Sequence, residues 1–194
     1  MRQFILYAGK AVTSPDFRLD DLPGSGGRMD LVARCISNAL WISHALRRDS
    51  GIHVVACGSP HPPVVISFYG DLLRGVSPDE RNIASWIKLA LANKRRNPGI
   101  RIRRISFQQL IADLASEGAF FYVLHEDGRE ISEVELKADS VFVLGDHMGL
   151  PESEERVVER FEHEKISLGT TSYLASQCIT VVHYELDKRG NVSH

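Results

Sequence analysis

The chain has 194 residues, 43% of them hydrophobic and 25% charged, a balance that suits one well-buried globular domain and excludes a disordered one. Its longest apolar runs, such as Ala119–Leu124 and Val141–Leu144, are too short to cross a bilayer, and Phe4–Ala8 is shorter than a signal-peptide core, so a soluble cytoplasmic protein is expected. A net charge of −2 argues against a general polyanion binder, and three scattered cysteines without a CxxC pair (Cys35, Cys57 and Cys178) fit a reducing compartment.

In chain order, Arg2–Ala8 reads as a strand, followed by a Gly/Pro/Asp-rich loop from Gly9 to Gly27. Apolar residues then recur at Met29, Val32, Ile36, Leu40 and Leu46, the spacing of an amphipathic helix that Gly51 would end. Ile52–Cys57 and Val64–Phe68 are β-branched runs separated by Gly58-Ser59-Pro60-His61-Pro62-Pro63, which predicts two strands joined by a stiff turn. Ser77-Pro78-Asp79-Glu80 predicts a helix start, with Ser77 as cap, Pro78 in the first turn and Glu80 bonding back, and a run to about Asn93. Asn97-Pro98-Gly99 breaks the chain before a strand over Ile100–Ile105. Ser106 with Gln109 makes a second capping box, opening a helix that stops at Gly118.

Ala119–Leu124 and Ser140–Leu144 read as short, wholly apolar strands on either side of a polar excursion, His125–Asp139. A charged helix over Glu152–Glu162, a strand over Lys165–Leu168 and a largely apolar helix over Ser172–Leu186 complete the chain. Strands that alternate with helices and are apolar on both faces predict an α/β fold, a mostly parallel sheet covered by helices on both sides. Neither repeats nor a second composition regime divides residues 1–194, so a single domain is expected.

In such sheets ligands bind beyond the carboxyl ends of the strands. Three predicted strand ends carry suitable loops: Leu124-His125, Leu144-Gly145-Asp146-His147-Met148-Gly149 and Leu168-Gly169-Thr170-Thr171-Ser172-Tyr173. Competing motifs fail. Gly24-Ser25-Gly26-Gly27 comes too late and lacks the spacing of a dinucleotide-binding GxGxxG, and the chain has no Walker A lysine loop, no GxSxG elbow and no metal-ligand cluster. Cys178 falls within a predicted helix among apolar neighbours, where packing is the default. One charge feature stands out: Lys94, Arg95, Arg96, Arg101, Arg103 and Arg104 place six cations within eleven residues, with no acid among them. That is either a solvated helix end leading into an edge strand or a local basic patch.

The stretch Val141-Phe142-Val143-Leu144-Gly145-Asp146-His147-Met148-Gly149, with Ile166-Ser167-Leu168-Gly169 and Tyr173-Leu174-Ala175-Ser176-Gln177-Cys178, resembles the cofactor site of the SPOUT methyltransferases. Over essentially its full length, the chain is similar to the archaeal tRNA pseudouridine-54 N1-methyltransferases, a match that extends to Gly26-Gly27-Arg28-Met29-Asp30-Leu31 and Gly58-Ser59-Pro60. Arg28-Met29-Asp30 is also similar to the Arg-Pro-Asp motif of ribosomal-RNA pseudouridine N1-methyltransferases, which keeps that second substrate open.

The resemblance implies a deep trefoil knot near the C-terminus (roughly residues 119–186) that binds S-adenosylmethionine (SAM) in a bent shape. The expected contacts are Leu124, Gly145, Leu168, Gly169, Thr170, Thr171, Ser172, Tyr173 and Cys178. It also implies a homodimer, with the final helix carrying Tyr173, Ile179 and Val182 as a candidate interface, and tRNA as partner. Asp30 would then accept or orient the N1–H that only pseudouridine offers, Arg28 would stabilise charge developing on the base or hold a phosphate, and the Lys94–Arg104 cations would contact the tRNA backbone. A non-catalytic RNA-binding module is the alternative of a different class; it would need no cofactor loops.

Overall fold

A computed structural model describes residues 1–137 and 139–190; Ala138, inside the expected polar excursion, and the last four residues of the expected 1–194 domain lie outside the described residues. In chain order the elements are β1 (Arg2–Ala8), α1 (Met29–Leu40), β2 (Trp41–Ile42), β3 (Ala45–Leu46), β4 (Ser50–Ala56), β5 (Val64–Tyr69), α2 (Glu80–Leu91) and β6 (Ile100–Arg103). They continue with α3 (Phe107–Ser116), β7 (Phe120–Glu130), a 3-10 turn at Ile131–Glu133, β8 (Ser140–Gly145), α4 (Glu152–Val158), β9 (His163–Ser167) and α5 (Ala175–Lys188).

Seven strands form one sheet in the order β6-β5-β4-β1-β8-β7-β9. β1 pairs in parallel with both β4 and β8, β7 with both β8 and β9, and only β5 and β6 run antiparallel to their neighbours. The α/β, mostly parallel architecture expected from the apolar strands is thus the one adopted.

Side-chain alternation along the central strands feeds two cores. Phe4, Leu6, Tyr122, Phe142 and Leu144 point to one face, where they meet Ile36 of α1, Ile83 and Ile87 of α2 and Ile179 and Val182 of α5. Ile5, Phe121, Val123, Val141 and Val143 point to the other, against Leu110 and Ile111 of α3 and Val157 and Val158 of α4. Ile179 and Val182 are fully buried within their own chain, so they pack on the sheet and cannot form the interface considered from sequence.

Several boundaries differ from the expected ones. α1 stops at Leu40, about three turns before Gly51, because Trp41–Leu46 folds into the β2–β3 hairpin and the Arg47 N–H closes it on the Leu40 carbonyl at 2.6 Å. Ser43 and His44 occupy its tip. The cap of α2 is Asp79, which accepts from the Asn82 N–H at 2.8 Å; Ser77 instead donates its hydroxyl to Asp79 at 2.8 Å. Ser106 caps α3 as expected, accepting from the Gln109 N–H at 3.1 Å. β7 continues well past Leu124, with its register on β9 shifting between Leu124 and Arg129. Gly128 makes that crossing possible, since a Cβ there would lie 2.5 Å from the Ile166 backbone. β6 ends at Arg103, α4 at Val158, and α5 starts at Ala175 and reaches Lys188, shifts of a few residues at fraying ends.

Candidate active site

Because β1, β4, β7, β8 and β9 run in parallel, their carboxyl ends gather on one edge of the sheet. Three loops meet there around the start of the chain. A Cβ on Gly27 would lie 1.9 Å from the Lys10 carbonyl oxygen and one on Gly58 would lie 2.3 Å from the same atom, so the two glycine motifs, 31 residues apart, pack on one backbone segment. Thr13 ties the second of them down, donating its hydroxyl to the Gly58 carbonyl at 3.0 Å and accepting from the His61 N–H at 2.8 Å.

Gly27 at φ +59° delivers the chain to Arg28, itself left-handed at φ 68°, and α1 begins at once. This turn folds the Arg28 side chain back onto Asp30. Nε reaches Oδ1 and Nη2 reaches Oδ2, each at 3.0 Å, a bidentate pair. Arg34, one turn along α1, adds a third hydrogen bond to Asp30 Oδ2 at 2.8 Å and pairs with Glu80 at the start of α2 at 3.0 Å. Burial pushes the Asp30 carboxyl up, but the Arg28 hydrogen bonds and charge, with Arg34 behind them, outweigh it and hold the group below the ordinary carboxylate range. Asp30 is therefore a firmly ionised acceptor, and Arg28 keeps an exposed edge.

A pocket opens between the ends of β7 and β9, lined by Leu124, His125, Glu126, Ile166, Leu168, Gly169, Thr171, Ser172, Tyr173 and Cys178. Seven of the nine residues expected to contact a cofactor are among these. Gly145 and Thr170 are not. A Cβ on Gly145 would lie 2.0 Å from the Gly149 backbone, so that glycine serves the tight turn after β8.

His125 and Ile166, which belong to the strand-end loop and the motif already singled out, also join the lining, and so does Glu126, which sequence reasoning does not single out; its position beside Leu124-His125 at the strand end is the available signal. Asp146 lies in a strand-end loop that the sequence marks, but its own role emerges only from the structure. It accepts from the Gly9 N–H at 2.9 Å and the Met148 N–H at 2.8 Å, bracing the β1 and β8 loops against each other.

α1 connects the ion pair to the pocket. Cys35, buried on α1, lies close enough to Cys178 of the pocket wall for the two thiols to interact, and burial pushes the Cys35 thiol up to about 12. Asp30 is five residues earlier on the same helix, roughly 7–8 Å along its axis. Asn38 fastens α1 to α5 by donating to the Ser176 carbonyl at 2.8 Å.

The six cations occupy the opposite end of the sheet. Arg101 and Arg103 lie on β6, the terminal strand, and β6 stands five strand spacings from β7, roughly 24 Å. Arg103 pairs with Asp113 at 2.8 Å, while Arg95 covers the Trp86 ring at 4.5 Å and Arg101 the Tyr69 ring at 5.1 Å. Lys94, Arg96 and Arg104 are exposed. Within one chain, then, the basic run and the pocket are separate surfaces. Among the described residues no group of three or more His, Cys, Asp or Glu could hold a metal ion, and no helix is long and apolar enough to cross a membrane.

Residues 1–191 match the family described as SAM-dependent RNA methyltransferases. The chain belongs to that family. Among curated relatives of this methyltransferase are proteins named tRNA (pseudouridine(54)-N(1))-methyltransferase from Methanocaldococcus jannaschii, 42% identical over 97% of this chain and 98% of that one, and from Methanococcus aeolicus, 44% identical over 97% and 98%. The protein of the same name from Methanocella arvoryzae is 43% identical over 97% of this chain and all of its own.

Among solved structures, Archaeoglobus fulgidus Nep1 bound to S-adenosylhomocysteine superposes with a TM-score of 0.72 at 15% identity, covering 98% of this chain and 99% of that one. The SpoU methyltransferase AviRb from Streptomyces viridochromogenes, in complex with its cofactor, gives 0.51 at 12% identity over 99% of this chain and 58% of its own. Both likenesses concern the fold. It is the SPOUT fold that the strand-end motifs suggested.

Proposed function

We propose that this methyltransferase transfers a methyl group to N1 of pseudouridine 54 in the T loop of tRNA. Its full-length identity of 42–44% with the relatives named for that reaction carries the reading. The pocket suits the cofactor: Leu124, Ile166 and Leu168 offer an apolar slot for adenine, and Glu126, Thr171 and Ser172 offer polar partners for the rest. SAM supplies a methyl already activated on sulfur, so no covalent protein nucleophile is needed. The chain's own work is alignment, which can lower the barrier by about 7–11 kcal/mol.

The acceptor nitrogen must lose its hydrogen as the methyl arrives. Asp30, ionised and fixed by two arginines, orients that N1–H; its lowered pKa makes it a weaker base than an ordinary carboxylate, so as the N1–methyl bond forms and the sulfonium S–methyl bond breaks, the N1 proton passes to solvent water. Arg28, held by Asp30 and partly exposed, lends positive charge to the base carbonyls as negative charge develops on them. The exposed cations at the β6 edge contact tRNA phosphates at a distance from the reacting base.

We further read the active form as a cytoplasmic homodimer with a knotted cofactor region. Support for a dimer comes from Tyr173, Leu174 and Tyr184, which are 45%, 56% and 61% exposed, and from Ile42 at 49%.

The test is transfer of labelled methyl from SAM to two tRNAs that differ only in having pseudouridine or uridine at position 54. Label confined to the pseudouridine tRNA supports the reading. Label in both refutes the N1 assignment, and label in neither, with transfer to ribosomal RNA, moves the substrate to the related Arg-Pro-Asp chemistry.

A further inference from the structure

We propose that Glu126 is the acceptor that reads the ribose diol of the adenosyl cofactor, an assignment that rests on the β7–β9 pocket being the SAM pocket. Glu126 contributes the pocket's one carboxylate; the other lining residues are apolar, hydroxyl-bearing, glycine, histidine or cysteine. Leu124, Ile166 and Leu168 are partly or wholly buried and form its floor, whereas Glu126 and Ser172 are exposed at its rim.

A nucleoside seated with its base on that floor turns its sugar toward the rim. The vicinal hydroxyls of ribose are two donors side by side, and a carboxylate presents two acceptor oxygens at matching spacing. The same complementarity operates where an acidic residue holds the ribose in dinucleotide sites.

Ser172 prepares the carboxylate for this. Its hydroxyl donates to Glu126 Oε1 at 2.6 Å, linking the loop after β9 to β7 across the pocket mouth. A carboxylate has about four acceptor sites, and this bond uses one of them. Glu126 is thereby held at the rim with acceptor capacity left for a ligand. Charge-assisted hydrogen bonds of this kind are the strong ones, so the discrimination they give is large enough to read.

The competing role for a rim carboxylate is to bind the ammonium of the cofactor's methionyl part. Three probes separate the two roles by calorimetry: S-adenosylhomocysteine, 5′-methylthioadenosine (diol but no ammonium) and its 2′-deoxy analogue. The wild-type chain should prefer methylthioadenosine over the deoxy analogue by about tenfold. Glu126→Ala should bind both S-adenosylhomocysteine and methylthioadenosine about tenfold more weakly and lose the preference, Glu126→Gln should fall between, and unfolding temperatures should be unchanged. Weaker binding of S-adenosylhomocysteine alone, or wild-type affinities throughout, overturns the proposal. A wild-type chain that binds no S-adenosylhomocysteine overturns the pocket assignment itself, a failure distinct from that of Glu126.

Discussion

Arg28 and Asp30 are two residues apart and form a bidentate ion pair with both hydrogen bonds at 3.0 Å, a pairing that positions i and i+2 on a helix cannot make. It exists because Arg28 is left-handed and stands outside the helix that Asp30 opens. The same carboxylate would be a favourable first-turn acid on any helix. Here it fixes the direction of a guanidinium beside the carboxyl-terminal ends of the parallel strands.

Replacing Asp30 by Asn keeps the shape and removes the charge. We expect kcat to fall by about two to three orders of magnitude while cofactor affinity, measured by calorimetry, is unchanged. Full retained activity would reduce the pair to a helix-start feature. Since the arginines hold Asp30 below the usual carboxylate range, kcat/KM should show no acid limb from this group above about pH 5.

Two buried histidines make stability pH-dependent. Burial pushes His53 down to about 4 and His183 down to about 3, so both stay neutral in the folded chain. Their unfolded values are near 6.5, so below that pH the unfolded chain binds more protons and stability falls as pH drops from about 6.5 toward the folded values. Urea midpoints should therefore decline from about pH 7 to about pH 5, and His53→Gln should decline less steeply. Parallel slopes would show that His53 does not contribute.

Gly27 combines a positive φ with a Cβ position 1.9 Å from the Lys10 carbonyl, whereas Gly118, at φ +88°, faces open space. Gly27→Ala should cost about 2–4 kcal/mol, Gly118→Ala about 1 kcal/mol, by denaturant unfolding. Equal costs would mean that backbone strain alone governs both sites.

The basic edge should declare itself through salt. Removing one phosphate contact should flatten the log–log dependence of tRNA affinity on salt by about 0.7–0.9. Substituting Lys94, Arg96 or Arg104, which are exposed, should do this; Arg103→Gln, already paired with Asp113, should do so less. A slope indifferent to all four would remove the edge from the RNA interface.

Local patterning is enough to set the layers of this molecule. β1, β8 and the first half of β7 are apolar at nearly every position, and a strand of that kind is stable only between two helical layers, so the α/β sheet is legible from Phe4–Leu6 and Val141–Leu144. Glycines after such strands also mark much of the pocket wall, because a sharp turn at a strand end is a local property.

Contacts between distant segments settle the rest. They end α1 at Leu40, since the hairpin that stops it replaces the helical turns that periodicity alone would continue. They carry β7 past Leu124, since Gly128 finds its partner in Ile166, 38 residues on. They aim Arg28 at Asp30 through a backbone angle that residue type does not reveal. And they set the basic run and the β7–β9 pocket toward opposite ends of the sheet, because strand order is fixed by how distant segments pair and not by their order in the chain.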